Sequence, residues 1–348
     1  MNIMKRFTAL VFALIALTSC ITTHSIQIDQ MEPGQIPLPP KVRKVALISR
    51  NFKFSIDTLR GYYKHNLRLF RGLRIDNQQI DSLAVTKTLD ELQKILLGSG
   101  RFDEVFVYPY NAILPNTADK EIPLSSGFIQ SICNESQTDA IVSLEMLSYF
   151  YSTHNQHSGH DTGNEANTKV SSIWSVYTPQ ISGPLERYSH SEIIKWNERD
   201  LEIKGKKINP PDRKTAIPVA CGIAAKNYSK RLVPYWAESS RVVVSLDRPD
   251  FDKALSLALK NKWKEASIIW EKYSTNAHPK ISGIASLNNA VAQEMIGDYR
   301  KASFYSDKSV KLLQSGESGK IARAYAAILY NRKQKVSNLD SLLTPGHN

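Results

Sequence analysis

Cysteine is scarce, 3 in 348 residues, and no two stand as C-x-x-C. That spacing is what a zinc ribbon or a thioredoxin-like redox pair requires, so neither is indicated. There is no G-x-S-x-G elbow, no G-x-x-x-x-G-K-[ST] phosphate loop and no G-x-G-x-x-G turn. Three common routes to nucleophilic, nucleotide and dinucleotide chemistry are therefore not written in the chain, and no cofactor is expected. The apolar run from Phe7 to Leu17 falls well short of the roughly 20 residues of a spanning helix. The formal charge is +12. Its densest basic patch, Lys204 to Lys207, has no interleaved aromatics and reads as a turn, so nucleic acid is not an expected partner.

What is present begins with the basic pair Lys5-Arg6, the apolar run, and Leu17-Thr18-Ser19-Cys20. Charge, then apolar residues, then small residues is the pattern of a secretory signal peptide. Leu17 to Cys20 resembles the lipobox of bacterial lipoproteins. That resemblance implies cleavage after residue 19, a diacylglyceryl group on Cys20 and a membrane partner reached through the lipid. In Bacteroidota lipoproteins an acidic run after the cysteine tends to mark surface export. Ile21-Thr22-Thr23-His24-Ser25 has none, so the expected location is the outer membrane, facing the periplasm. Cys133 and Cys221 sit among apolar neighbours on predicted helices and are expected as buried free thiols.

Residues 20–40 carry Pro33, Gly34, Pro37, Pro39 and Pro40 and read as an extended tether. An α/β domain is expected over 41–247. It opens with a strand at Arg43-Lys44-Val45-Ala46-Leu47-Ile48, after which 51–79 show no clear period. Ile80, Leu83, Ala84, Leu89, Leu92 and Leu96 make a helical stripe, ended by Gly98 and Gly100. Strands follow at Phe102 to Tyr108 and from Asp139 to about Tyr151. Two period-two segments, Ser171 to Thr178 and Ile193 to Asn197, precede a mostly helical stretch from Pro211 to Trp236 and a strand over Arg241 to Leu246. The first strand, Leu96-Leu97-Gly98-Ser99-Gly100-Arg101-Phe102 and Asp139-Ala140-Ile141-Val142 resemble the extracytoplasmic domain of TolB N-terminal regions, the LpoB activator and CsgG-type curli-secretion lipoproteins.

Residues 248–335 repeat internally. Asn261-Lys262-Trp263-Lys264-Glu265-Ala266 recurs 36 residues later as Gly297-Asp298-Tyr299-Arg300-Lys301-Ala302. Trp263 and Tyr299 are expected to fill the angle between paired helices. Ala266 and Ala302 let those helices approach. The period is near the 34 of tetratricopeptide repeats, whose stacked helices commonly present a surface to protein partners. The fold class is thus α+β: a mixed sheet with packed helices, then an all-α tetratricopeptide-like helical repeat domain, with 336–348 as a flexible tail. The layout, with Pro234-Tyr235-Trp236, then Arg241 and the Trp263 to Ala266 turn, resembles an uncharacterised family of Bacteroidota lipoproteins.

His154, His157 and His160 are candidate zinc or copper ligands, because imidazole nitrogen suits both metals. Their spacing fits no single helical face, and the Ser, Asn and Gly around them read as a solvated loop. Glu186, Glu192 and Glu198 are candidate carboxylate partners, and Trp174, Trp196 and Trp236 a candidate sugar or peptide platform. The bland readings, solvated glutamates and core tryptophans, stand beside these. The expectation is a non-enzymatic lipoprotein that binds another envelope protein. The alternatives are an oligomeric secretion subunit of CsgG type and a metal-dependent or carbohydrate-acting enzyme.

Overall fold

The computed structural model describes residues 21–50, 62–65, 68–71, 74–109, 122–158, 161–197 and 210–343. The chain divides into two compact units. Of the described residues, one takes those within 34–235 together with 341–343, and the other 21–33 and 236–340. The fold is α+β, a mixed sheet with packed helices and then a run of helices.

In the mixed unit the central strand is β2 (Lys44–Ser49), preceded in the chain by β1 (Thr22–Glu32) of the other unit. Parallel neighbours flank β2: β5 (Glu104–Val107) on one side and β6 (Ala140–Ser158) on the other. A strand covered on both faces reads as a continuous apolar run, which is why Val45 to Ile48 do not alternate with polar residues. The pleat still sorts them. Val45 and Leu47 enter the core made with α1 (Arg74–Gly98) and α3 (Arg213–Ser229), whereas Ala46 and Ile48 meet α2 (Ser126–Ser136). β6 pairs antiparallel with β7 (Asp161–Tyr177), and β7 with β8 (Glu186–Asn197). A short hairpin, β3 (Tyr62–His65) and β4 (Arg68–Arg71), joins through β3 alongside the far part of β6.

Two polar devices fix the start of the sheet. Asp139 Oδ2 accepts from the backbone N–H groups of Arg43 and Lys44, 2.8 Å each, and so aligns β2 with β6. The buried Arg101 guanidinium donates to Val42 O at 2.6 Å and Pro39 O at 2.8 Å. Burial lowers its pKa to about 10, so it keeps its charge at neutral pH. The left-handed turn after α1 belongs to Gly100 (φ 71°). Gly98 is still helical, which corrects the expectation that both glycines close the helix. Cys133 and Cys221 are free and buried, on α2 and α3. Burial pushes both thiols up, away from the reactive thiolate. Peptide mapping after iodoacetamide treatment is expected to show both unmodified in native protein and both alkylated in denaturant without reductant. A native adduct on Cys221 would contradict this packing.

The second unit pairs β1 with β9 (Tyr235–Ser245) and adds five helices: α4 (Pro249–Leu259), α5 (Trp263–Ser274), α6 (Pro279–Ile296), α7 (Tyr299–Leu312) and α8 (Gly316–Leu343). Proline opens α4 and α6, where its missing N–H costs nothing. Here the structure departs from the sequence reading in four places. The 20–40 segment is no tether: 22–32 are β1, and Ile36 N–H donates to Arg231 O at 2.8 Å in the mixed unit. β9 belongs with β1 in the helical unit, so the mixed unit ends at residue 235, not 247. Helix α3 stops at Ser229, and Tyr235 and Trp236 open a strand rather than end a helix. Residues 336–343 continue α8 rather than begin a flexible tail.

α8 starts very close to the end of α7. A Cβ at Gly319 would collide with Leu313 O, a backbone atom that cannot step aside cheaply. Gly319→Ala is expected to cost about 1–3 kcal/mol, the usual range for overpacking. Denaturant melts of the two proteins would check it; equal midpoints would rule the close approach out.

Candidate functional site

The repeat places equivalent residues in equivalent places. Asn261 (φ 58°) and Gly297 (φ 90°) both take the left-handed conformation that ends one helix and launches the next. Trp263 and Tyr299 then open α5 and α7, with Ala266 and Ala302 fully buried one turn on. Trp263 Nε1 donates to Asn261 Oδ1 at 2.5 Å, and the Asp298 side chain accepts from Lys301 N–H. Trp263 is buried and Tyr299 packs at the edge of the same core. The outward positions correspond too. Ile268 on α5 is 68% exposed, and Phe304 on α7, 36 residues later, is 61% exposed. The helices carrying them touch, because Tyr305 O–H donates to Glu271 Oε1 at 2.6 Å. Burial, and then that bond, push the Tyr305 phenol up to about 12.

The same unit holds a buried polar network that the sequence reading missed. The Arg241 guanidinium grips Glu294 twice, Nε to Oε2 at 2.9 Å and Nη2 to Oε1 at 2.6 Å. Tyr325 O–H donates to Glu294 Oε2 at 3.0 Å, and Arg241 Nη2 also reaches Gln30 Oε1 at 3.0 Å. The four groups come from β9, α6, α8 and β1. Burial holds the Tyr325 phenol well above its ordinary pKa, so it stays a donor. On α6, Asn288 pairs with both backbone groups of Val244, accepting at 2.9 Å and donating at 2.7 Å, as a neighbouring strand would. The available signal was Asn288-Asn289 and Gln293-Glu294 set among apolar residues of one helix. Buried polar pairs in that setting need partners.

The other candidates separate. His154 and His157 lie in β6, paired with Glu165 and Thr162 of β7, where a loop was expected. Pairing with an equally polar partner strand outweighs their loop-like composition. They stand three positions apart in a strand, whose period is two. His160 lies outside the described residues, as do Glu198 and Cys20. No group of three or more metal-binding side chains occurs among the described residues. Glu186 is paired with Arg231, and Glu192 accepts from Asn227 at 2.7 Å. The tryptophans sit in three different environments. Trp174 is buried and stacked on Tyr228 at 4.4 Å, Trp196 is half-buried with Nε1 donating to Thr168 Oγ1 at 3.0 Å, and Trp236 is 66% exposed. Glu145, at a bulge in β6, is fully buried and ion-paired with Arg50 at 3.1 Å, with Tyr177 O–H donating to it at 3.0 Å. No described helix is long and apolar enough to cross a membrane.

No curated protein matches the sequence. Among solved structures, the PelC dodecamer of Paraburkholderia phytofirmans is 8% identical, covering 60% of this chain and 99% of that one at a TM-score of 0.23. A neuraminyllactose-binding hemagglutinin homologue from Helicobacter pylori is 11% identical, covering 57% and 81% at a TM-score of 0.23. Residues 252–331 match a family model described as a domain of unknown function, DUF6340. Residues 42–243, more than half of the sequence, match the model described as a domain of unknown function, DUF8603, and the chain belongs to that family.

Proposed function

We propose that this chain is a lipid-anchored bacterial envelope protein, outer-membrane and periplasm-facing, that binds another envelope protein through its tetratricopeptide-like helices and performs no catalysis. The observation that carries the binding reading is the recurrence of an exposed large apolar side chain, Ile268 and Phe304, at one repeat position. Single exposed apolar residues are ordinary, but the same exposed position in both copies marks a face rather than an accident. Stacked helices present such faces to proteins. The anchoring reading is carried by Lys5-Arg6, Phe7 to Leu17 and Leu17 to Cys20.

Two measurements test the two halves. Metabolic palmitate labelling is expected to mark the wild type and to be lost in Cys20→Ala, with the variant leaving the membrane fraction. An unlabelled wild type sinks the anchor. Photo-crosslinkers at 268 and 304 are expected to capture one envelope protein in cells. Ile268→Glu with Phe304→Glu, both on solvent-facing positions, is expected to abolish that product while moving stability by less than about 0.5 kcal/mol. Undiminished capture by the folded double variant, or capture of cytoplasmic proteins alone, overturns the reading.

A further inference from the structure

We infer that the bilayer lies directly against the helical unit, because β1 carries the anchor into that unit with no slack chain between. The inference rests on acylation of Cys20 and goes further, to where the lipid surface sits.

β1 begins at Thr22, and Ile21 already packs on the helical core that holds Ile26, Val243 and Phe251. Its far end is tied three times. Gln30 accepts from Arg241 at 3.0 Å, Met31 O accepts from Arg332 at 2.6 Å, and Glu32 is ion-paired with Lys335 at 2.7 Å. These partners lie between about two hundred and about three hundred residues later in the chain. A strand held at both ends and paired along β9 is not a linker.

Magnitudes separate the two geometries. From Cys20 to Thr22 there are two Cα steps of about 3.8 Å, so the acylated residue stays within about 8 Å of folded backbone. A disordered tether over 21–40 would have a root-mean-square span of about 25 Å and a limit near 70 Å. The headgroup layer of one leaflet is only about 5–8 Å deep. With its acyl chains buried, Cys20 sits in that layer, and the helical unit meets the phospholipid surface. The partner contacted by Ile268 and Phe304 then lies within the unit's own reach of the membrane. The 28-residue α8, about 42 Å long, gives the length scale of that unit.

The test uses acylated full-length protein in vesicles of phosphatidylethanolamine and phosphatidylglycerol, digested with proteinase K and floated. Residues 21–33 are expected to stay uncut, and the fragment containing 236–340 to float with the vesicles even after cuts elsewhere. Amides of 22–32 are expected to exchange at least about 100-fold slower than in an unfolded chain. Ile26→Asp, which loosens β1 but leaves Cys20 in place, is expected to release the fragment while the palmitate label remains. Coil-rate exchange over 22–32, or a soluble 236–340 fragment from labelled wild type, overturns this inference alone. An unlabelled wild type overturns both it and the anchor.

Discussion

Arg241→Met is expected to lower the stability of the helical unit by about 3–5 kcal/mol, the range measured when one member of a buried ion pair is removed. The size follows from what remains. Glu294 is 1% exposed in its side chain and loses both guanidinium bonds, keeping only the Tyr325 hydroxyl. A carboxylate left in that place costs its desolvation without return. Gln30 loses its donor as well, so β1 is loosened from β9 in the same step. For a unit of roughly a hundred residues the melting temperature should fall by more than about 10 °C. Arg241→Met with Glu294→Leu is expected to recover part of the loss, because no stranded charge remains. A loss below about 1 kcal/mol, or a double variant no better than the single, would remove the network from its place as the clasp of this unit.

The parts of the fold that were legible in the sequence are those where one local signal decides. Val45 to Ile48 by its unbroken apolar run, the Ile80 to Leu96 stripe by its helical spacing, and the recurrence of Trp263 and Ala266 as Tyr299 and Ala302 each fall on a strand or helix of the expected type. The parts that misled are those where pairing partners are distant. Ile26 and Ile28 alternate with Ser25, Gln27 and Asp29 as a strand should. The prolines and glycine after them made the whole segment look like a linker, and the partner strand lies some two hundred residues away. His154 and His157 misled similarly: their composition is that of a loop, while the long ladder to β7 keeps them in strand. The surface was half legible. Trp263 and Tyr299 announced the turns, but exposure at Ile268 and Phe304 follows from which helix faces are covered, which periodicity alone does not fix. Arg241 stood out in the chain, yet its role depends on Glu294 and Tyr325, 53 residues and more away.

Trp174→Ala is expected to cost the mixed unit about 3–5 kcal/mol, whereas Trp236→Ala should change stability by less than about 0.5 kcal/mol. The two residues were candidates for one aromatic platform, and their environments give them opposite fates. Trp174 is 1% exposed, lies nearly parallel to the Tyr228 ring at 7° between planes, and donates from Nε1 to Ser172 Oγ at 3.1 Å. Tyr228 in turn stacks on Tyr188, over whose ring the Arg231 guanidinium sits at 4.0 Å. Deleting the indole leaves a cavity where β7 meets α3, and the close-packed neighbours can fill it only in part. Trp236 leaves no cavity, since most of its surface is already in water. Denaturant melts followed by circular dichroism, which does not depend on the deleted fluorophore, measure both. A carbohydrate or peptide ligand that protects wild type but not Trp174→Ala, with stability otherwise unchanged, would restore the platform and displace the core reading of Trp174.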